Sequence, residues 1–459
     1  MLNKKRTVGL VLVPLLLLMA LPVWAGGGQD RLRGMDIVIG NWWSDYDVNT
    51  FQPQSDIEAR TLAYRRRILQ EHNFTMRVSR IASWGEMLQT AAITIMAGNP
   101  AASVFVLTPA WAMTLHRQGL IAPIQHANVD FSAKVVGDGR PTWNRAMMNL
   151  FTFGGNKYAM SLGYGDSLQP LVIFFNKRLF REAGLDPELP YNMQRNRTWT
   201  WDNFLPVARQ LTRDINGDGI IDTWAMTADL STYILDAIIS SNGATYVDRD
   251  ANGRFVNATG RPEFLESLQF AMRLRDEGVM MPPPSDDQSH HWTWYQAAFS
   301  DGIVAMRVEP LYVRNDLQGM TDDWGMVMFP MGPRRNNFSV FAFENVMVVP
   351  STFPPDQVAR IVEAVDLWER PVDEGPYAWQ DAIWHVFRDS RAVTETMAII
   401  RDPSLYVVPY WIMIPGLNRG HIAWQMWWHD GDPAQLVEAV SLAWNALIAD
   451  ANAALLAGL

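Results

Sequence analysis

Short apolar runs alternate with amphipathic stretches along this chain, and that alternation constrains its fold more than any other feature. Residues 37–39 (IVI) run into the polar-aromatic segment NWWSDYD, as a buried strand does when it ends in a loop. The next segment, SDIEARTLAYRRRILQEHN, has a helical period, with an acidic start and a basic end that suit the helix dipole. FTMRVSRIA reads as a second strand. WGEMLQTAAITIMAGNP reads as a helix closed by Gly98 and stopped by Pro100. SVFVL is a third strand, followed by the loop TPAW and another helical segment. Strand and helix in turn predict an α/β fold with a largely parallel sheet. Ligands of such sheets sit beyond the carboxyl ends of the strands. Residues 41–45 and 108–111 follow two of these strands and are rich in polar and aromatic side chains.

The rest of the chain keeps the style. PLVIFFNKRLFREAGL is a strand feeding a helix, with Gly184 at its C-terminal cap. TWTWDNFLPVARQLTRD is a helix with Thr200 as its N-cap. Pro206 inside it should kink or shorten it. DPAQLVEAVSLAWNAL opens with Asp432 at the N-cap, Pro433 at N1 and Gln435 at N3, a strong helix start.

With 459 residues, 48% of them hydrophobic, the chain can build two lobes, each with its own core. Residues 1–25 read as a secretory signal peptide cleaved after Ala25. They comprise a basic start (Lys4, Lys5, Arg6), an apolar stretch too short for a comfortable membrane span, and small residues at the cleavage site. A retained anchor is the alternative. The chain has no Cys, so it carries no disulfide, no thiolate chemistry and no lipid-modified cysteine. Removing the leader, with three basic and no acidic residues, takes the net charge from −10 to −13. That balance argues against nucleic acid or anionic membranes as partners.

Several phrases, in order and over nearly the whole mature chain, resemble one family. They are GNPAASVFVL, RQGLIAPI, GGNKYAMSLG, FFNKRLFREAGLDPELP, TWTWDNFLPVARQLTRDINGDGIIDTWAMT and AAFSDGIVAMRVEP. The resemblance is to the family 1 extracellular solute-binding proteins, the maltose-binding-protein-like sugar receptors of bacterial ABC importers. It implies the type II periplasmic-binding-protein fold: two α/β lobes joined by crossing segments, with the ligand cleft between them. Lobe 1 would comprise residues 30–166 and 328–385, and lobe 2 residues 167–327 and 386–459. It further implies a non-enzymatic, monomeric, periplasmic or secreted receptor without a lipid anchor. Such a receptor takes a sugar or oligosaccharide and passes it to ABC permease subunits by hinge closure.

A sugar offers C–H faces and a rim of hydroxyls, so its receptor needs aromatic platforms beside carboxylate, amide or guanidinium groups. The segments holding both types supply the candidates. Trp42, Trp43 and Asp45 follow the first strand, Trp84 opens a helix, and Trp111 follows the third strand. Tyr164, Asp166 and Gln169 lie at the first expected crossing. Trp292 and Trp294 belong to SHHWTWY, Arg307, Glu309 and Tyr312 follow GIVAM, Glu344 and Asn345 interrupt FAFENVMVV, and Tyr410 and Trp411 lie in VVPYWIMIPG. For any one Trp the competing assignment is the core. Asp45 and Asp166 could be helix caps. The Trp-x-x-Asp-Arg run of some maltose receptors is replaced here by LTPAW, so maltose itself is not supported.

DINGDGIIDTW places Asp214, Asn216, Asp218 and Asp222 at the first, third, fifth and ninth positions of a calcium loop. The twelfth position, which needs a bidentate Glu, is Ala225. A structural turn is favoured over a structural calcium, because Asn and Asp next to Gly also make tight turns through local bonds. No other cofactor is indicated. Three rivals stay open: a secreted carbohydrate-active enzyme with a pair of carboxylates, the same fold with a polyamine or peptide cargo, and a sugar sensor that transports nothing.

Overall fold

The computed structural model describes residues 31–124, 129–132, 142–163, 169–227, 232–282, 294–372, 378–428 and 431–456. The leader at 1–25 lies outside them. In chain order the first elements are β1 (Asp36–Asn41), α1 (Asp56–Glu71), β2 (Thr75–Arg80), α2 (Met87–Met96), β3 (Val104–Leu107), α3 (Pro109–Arg117) and α4 (Arg145–Leu150). A hairpin, β4 (Thr152–Phe153) and β5 (Asn156–Lys157), precedes β6 (Gln169–Asn176), α5 (Lys177–Glu182), α6 (Leu189–Arg195), α7 (Trp201–Leu211) and β7 (Met226–Thr227). Then come α8 (Tyr233–Ser241), β8 (Val247–Arg249), β9 (Phe255–Asn257), α9 (Pro262–Asp276), β10 (Met280–Met281), α10 (Trp294–Ser300) and β11 (Met306–Pro310). The chain continues through β12 (Trp324–Met328), β13 (Val340–Phe343), β14 (Val346–Val348), α11 (Pro355–Trp368), β15 (Tyr406–Val407) and α12 (Pro433–Leu456).

Two sheets organise these elements. The first has the order β14-β3-β1-β2, with β1 parallel to both β2 and β3 and β14 antiparallel to β3. Apolar side chains cover both faces. Ile37, Ile39 and Val104 pack with α11 residues such as Val358, Val362 and Trp368 on one side. Phe105 and Leu107 pack with Met87, Ala91 and Ile95 of α2 on the other. The second sheet is built on β6, whose neighbours β11, β12 and β13 all run antiparallel to it. The expected parallel order therefore dominates the first sheet, while in the second only β13 and β15 pair in parallel. A strand buried on both faces reads as one apolar run in either direction, so LVIFF could not reveal its partners' sense. β13 ends beside the start of β6 and passes through Glu344 and Asn345 into β14, so here the backbone crosses from one sheet to the other. Among the described residues no helix is long and apolar enough to cross a membrane.

Local signals account for most helix ends. Ser55 caps α1, and Asn176 caps α5 by accepting from the amides of Arg178 and Leu179. The Asp432 carboxylate accepts from the Gln435 amide at 3.0 Å, as the DPAQ signature predicts. Gly98 and Gly184 adopt positive φ just beyond α2 and α5, where a side chain would be strained. Four expectations need correction. The last turn of α1 holds no basic residue, because the helix runs on past Arg67 to Glu71. TPAW is not a loop: Thr108 caps α3 and Pro109 and Trp111 lie in its first turn. Trp84 sits in the turn ahead of α2 and not in the helix. Thr200 takes the N-cap position of α7 without a side-chain bond, and the helix continues through Pro206 to Leu211.

Candidate functional site

Four indoles meet beyond the carboxyl ends of β1 and β3. Asn41, the last residue of β1, accepts from the amides of Trp43 (2.9 Å) and Ser44 (3.0 Å) with its Oδ1, which folds the chain sharply out of the sheet. Asn41 is fully buried, and its Nδ2 finds no partner among the described residues. Asp45 accepts from the Arg80 amide (2.8 Å) and the Ser79 hydroxyl (3.2 Å), fastening the loop to the end of β2. Trp42 stands edge-on to Trp43 (4.8 Å between centroids) and to Trp111 (5.5 Å). Trp84 leans on Trp111 at 5.2 Å. Trp42 and Trp111 are backed by the core. Trp43 and Trp84 remain 51% and 60% exposed, a large apolar area to leave in water unless something covers it.

A second group gathers around β11. Arg307 and Glu309 are two residues apart on one strand, so both side chains project from the same face. The Arg307 guanidinium donates through Nε (3.0 Å) and Nη2 (2.7 Å) to one oxygen of Glu309, and both residues are buried. Burial pushes the Glu309 carboxyl up, while Arg307 and a hydrogen bond from Tyr295 act against it. Arg307 also lies over the Tyr295 ring at 5.4 Å. Trp294 opens α10 edge-on to Tyr295, and its buried Nε1 has no partner among the described residues. Tyr312, half-exposed, is hydrogen-bonded to Tyr233, and burial raises its phenol. Trp294, Arg307, Glu309 and Tyr312 are thus brought together, with Tyr295 and Tyr233 as unanticipated members. Tyr295 adjoins Trp294 in WTWY and was legible there. Tyr233 reaches the group only through the fold.

The remaining candidates are placed differently. Tyr410 and Trp411 form a turn packed against α3. Arg419 lies 3.3 Å from the Trp411 ring centroid and pairs with buried Asp236, while Arg249 lies over Tyr410. Both rings therefore already carry cations of this chain. Glu344 is buried and accepts from Asn144 (2.6 Å) and Ser161 (2.8 Å) with one oxygen, so it ties the crossing to the N-cap of α4 and to the segment after β5. Its neighbour Asn345 is exposed. Gln169 opens β6 opposite Phe343. Tyr164, Asp166 and Trp292 lie outside the described residues.

In the loop of residues 214–222 the carboxylates turn inward on their own backbone. Asp214 accepts from Gly217 (2.7 Å) and Gly219 (2.8 Å), Asn216 from Asp218 (2.8 Å), Asp218 from Ile220 (2.8 Å) and Asp222 from Ile215 (2.6 Å). A bridge between Arg213 and Thr223 closes the loop. Among the described residues no three His, Asp or Glu side chains are grouped to hold a metal ion.

The profile of the family described as bacterial extracellular solute-binding protein matches residues 63–352. No curated protein sequence is significantly similar to the chain. Solved structures share the fold. The ABC substrate-binding protein Lmo0181 from Listeria monocytogenes, in complex with cycloalternan, superposes with a TM-score of 0.61 at 16% identity, covering 91% of this chain and 98% of that one. A cyclic α-maltosyl-1,6-maltose binding protein from Arthrobacter globiformis gives 0.62 at 16% identity, covering 90% and 99%. UgpB from Mycobacterium tuberculosis, in complex with glycerophosphocholine, gives 0.61 at 14%, covering 91% and 98%. These neighbours have the two-lobed, type II architecture.

Proposed function

The chain belongs to the bacterial extracellular solute-binding proteins, and from that premise we propose that it binds a sugar or oligosaccharide between its lobes and presents it to the membrane subunits of an ABC importer. One observation carries the choice of cargo: two half-exposed indoles, Trp43 and Trp84, held by two core-backed ones at the carboxyl ends of parallel strands. Sugar rings stack on such faces through their C–H patches. The β11 group supplies the opposite chemistry, with Tyr312 exposed and Arg307–Glu309 behind it. Two of the three neighbours described above have sugars in their names, which supports the reading.

In this reading lobe 1 is residues 30–166 with 328–385, and lobe 2 is residues 167–327 with 386–459. They pivot where β13 runs beside the start of β6. Ligand held on one lobe recruits the other and shifts the population toward the closed form. The chain is a monomeric receptor without catalysis, working outside the cytoplasm after loss of residues 1–25. The 214–222 loop is a self-capped turn, and adding calcium and then a chelator should leave the melting temperature unchanged. The deciding experiment is a thermal-shift screen of mono- and oligosaccharides with glycerophosphocholine alongside. A cleft ligand raises the melting temperature by mass action. A response to glycerophosphocholine and to no sugar would overturn the assignment of cargo.

A further inference from the structure

A pocket open to solvent on one side lies in the β6-centred half of the molecule, and it shares no residue with either aromatic group. It offers about 420 Å³ between the start of α7, the middle of α9 and the segment that follows β12. Its apolar wall is a fixed pair of rings. Trp201 stacks on Phe270 with centroids 4.1 Å apart and planes within 3° of parallel. The Trp201 amide donates to the Met331 carbonyl (3.0 Å) and its Nε1 to the Ser241 hydroxyl (3.1 Å), so the indole cannot turn away.

The charges around this wall are only partly paired. Arg334 is held by Glu266 (2.7 Å) and Arg273 by Glu277 (2.8 Å). The Arg335 amide donates to the Gly332 carbonyl (3.2 Å), but its guanidinium, which also lines the cavity, makes no hydrogen bond or ion pair with any described residue. Its stem packs over Gly243, and burial alone lowers its pKa. Arg335 is half-buried and its guanidinium nitrogens still reach water; a planar oxyanion could replace that water bidentately. Asp202 lines the cavity too, but it is exposed, and Glu266 is neutralised by Arg334. The negative group therefore seats beside Arg335.

We propose that this cavity is a second ligand site, separate from the sugar cleft, for a small carboxylate carried on a flat apolar body. The guanidinium of Arg335 receives the carboxylate, and the Trp201–Phe270 wall receives the body. Benzoate and its uncharged isostere benzamide are the probes, titrated calorimetrically into the whole chain. Benzoate should bind saturably with a dissociation constant of about 1 mM, and benzamide at least about tenfold more weakly, because a charge-assisted bond is lost. Arg335→Gln should weaken benzoate by a similar factor while sugar-induced thermal shifts persist. Trp43→Ala should leave benzoate binding intact. Equal binding of benzoate and benzamide, no saturable benzoate binding, or its loss in Trp43→Ala would each overturn the proposal. Should Arg335→Gln fail to fold, the benzoate–benzamide comparison on the unaltered chain still decides.

Discussion

Replacing Trp43 by Ala separates a binding platform from a packing residue. The Trp43 side chain is 51% exposed and touches Trp42 edge-on. A fully covered indole buries on the order of 200 Å², so about 100 Å² of this one is left for a ligand to cover. At roughly 25 cal/mol per Å² that area contributes about 2.5 kcal/mol to binding, or a loss of on the order of 70-fold in affinity. Folding loses the covered half, by the same measure at most about 2.5 kcal/mol, since Ala keeps part of that contact. Trp42→Ala behaves differently. That ring contacts Trp43 and Trp111 and is packed on the core, so its loss should cost about 3 kcal/mol of stability as well as affinity. Titration calorimetry with the best sugar from the screen, paired with urea unfolding of each variant, reads both quantities. A Trp43→Ala protein that binds that sugar within about twofold of the parent would show that the exposed indoles are not the platform.

Three further outcomes follow from the geometry. Glu309→Gln leaves Arg307 buried beside a neutral amide, and urea unfolding should show a loss of about 3–5 kcal/mol. Asp322 is held below the usual carboxylate range by its hydrogen bond from Arg178, against the opposing effect of burial. Its folded pKa lies below the unfolded one, so its stabilisation is full above about pH 4 and is lost as pH falls through the folded value. Asp322→Asn should therefore cost about 1 kcal/mol at neutral pH, a figure reduced for solvent screening around Arg178, and progressively less in acid unfolding curves. Gly325→Ala would put a Cβ 2.2 Å from Phe175 and 2.9 Å from the Tyr191 hydroxyl, and its melting temperature should fall by the equivalent of about 1–3 kcal/mol.

Much of the fold was legible because its signals are local. Asp432, Pro433 and Gln435 announce a helix within four residues, and Gly98 and Gly184 close helices through backbone freedom that only neighbouring φ/ψ angles decide. The direction of the strands beside β6 was not legible, since it is set by segments 130 and more residues away. The misplacement of Trp111 had a different origin: Thr108-Pro109 is a helix start, and its signal competed with the expectation of a loop after a strand. Within the candidate site, Trp42, Trp43 and Trp111 could be named from their positions after strands and Trp84 only from the start of a helix, yet only the fold shows which of them are backed by core. Glu309 and Glu344 were legible as polar residues in apolar surroundings. That one is matched by Arg307 and Tyr295, and the other by Asn144 and Ser161, depends on pairings no spacing encodes.

The antiparallel strand β14 has a consequence for how the molecule comes into being. It closes the first sheet beside β3, and α11, just after it, covers the face formed by Ile37, Ile39 and Val104. A ribosome must therefore deliver about three quarters of the polypeptide before its opening segments meet their final neighbours. Until then α1 and α2 can lie against β1 and β3, but the edge of β3 and the part of the face that α11 covers stay open, and contacts so distant along the chain are slow to close. The nascent protein thus stays unfinished at its front for most of its synthesis, during which a chaperone has a long-lived surface to hold.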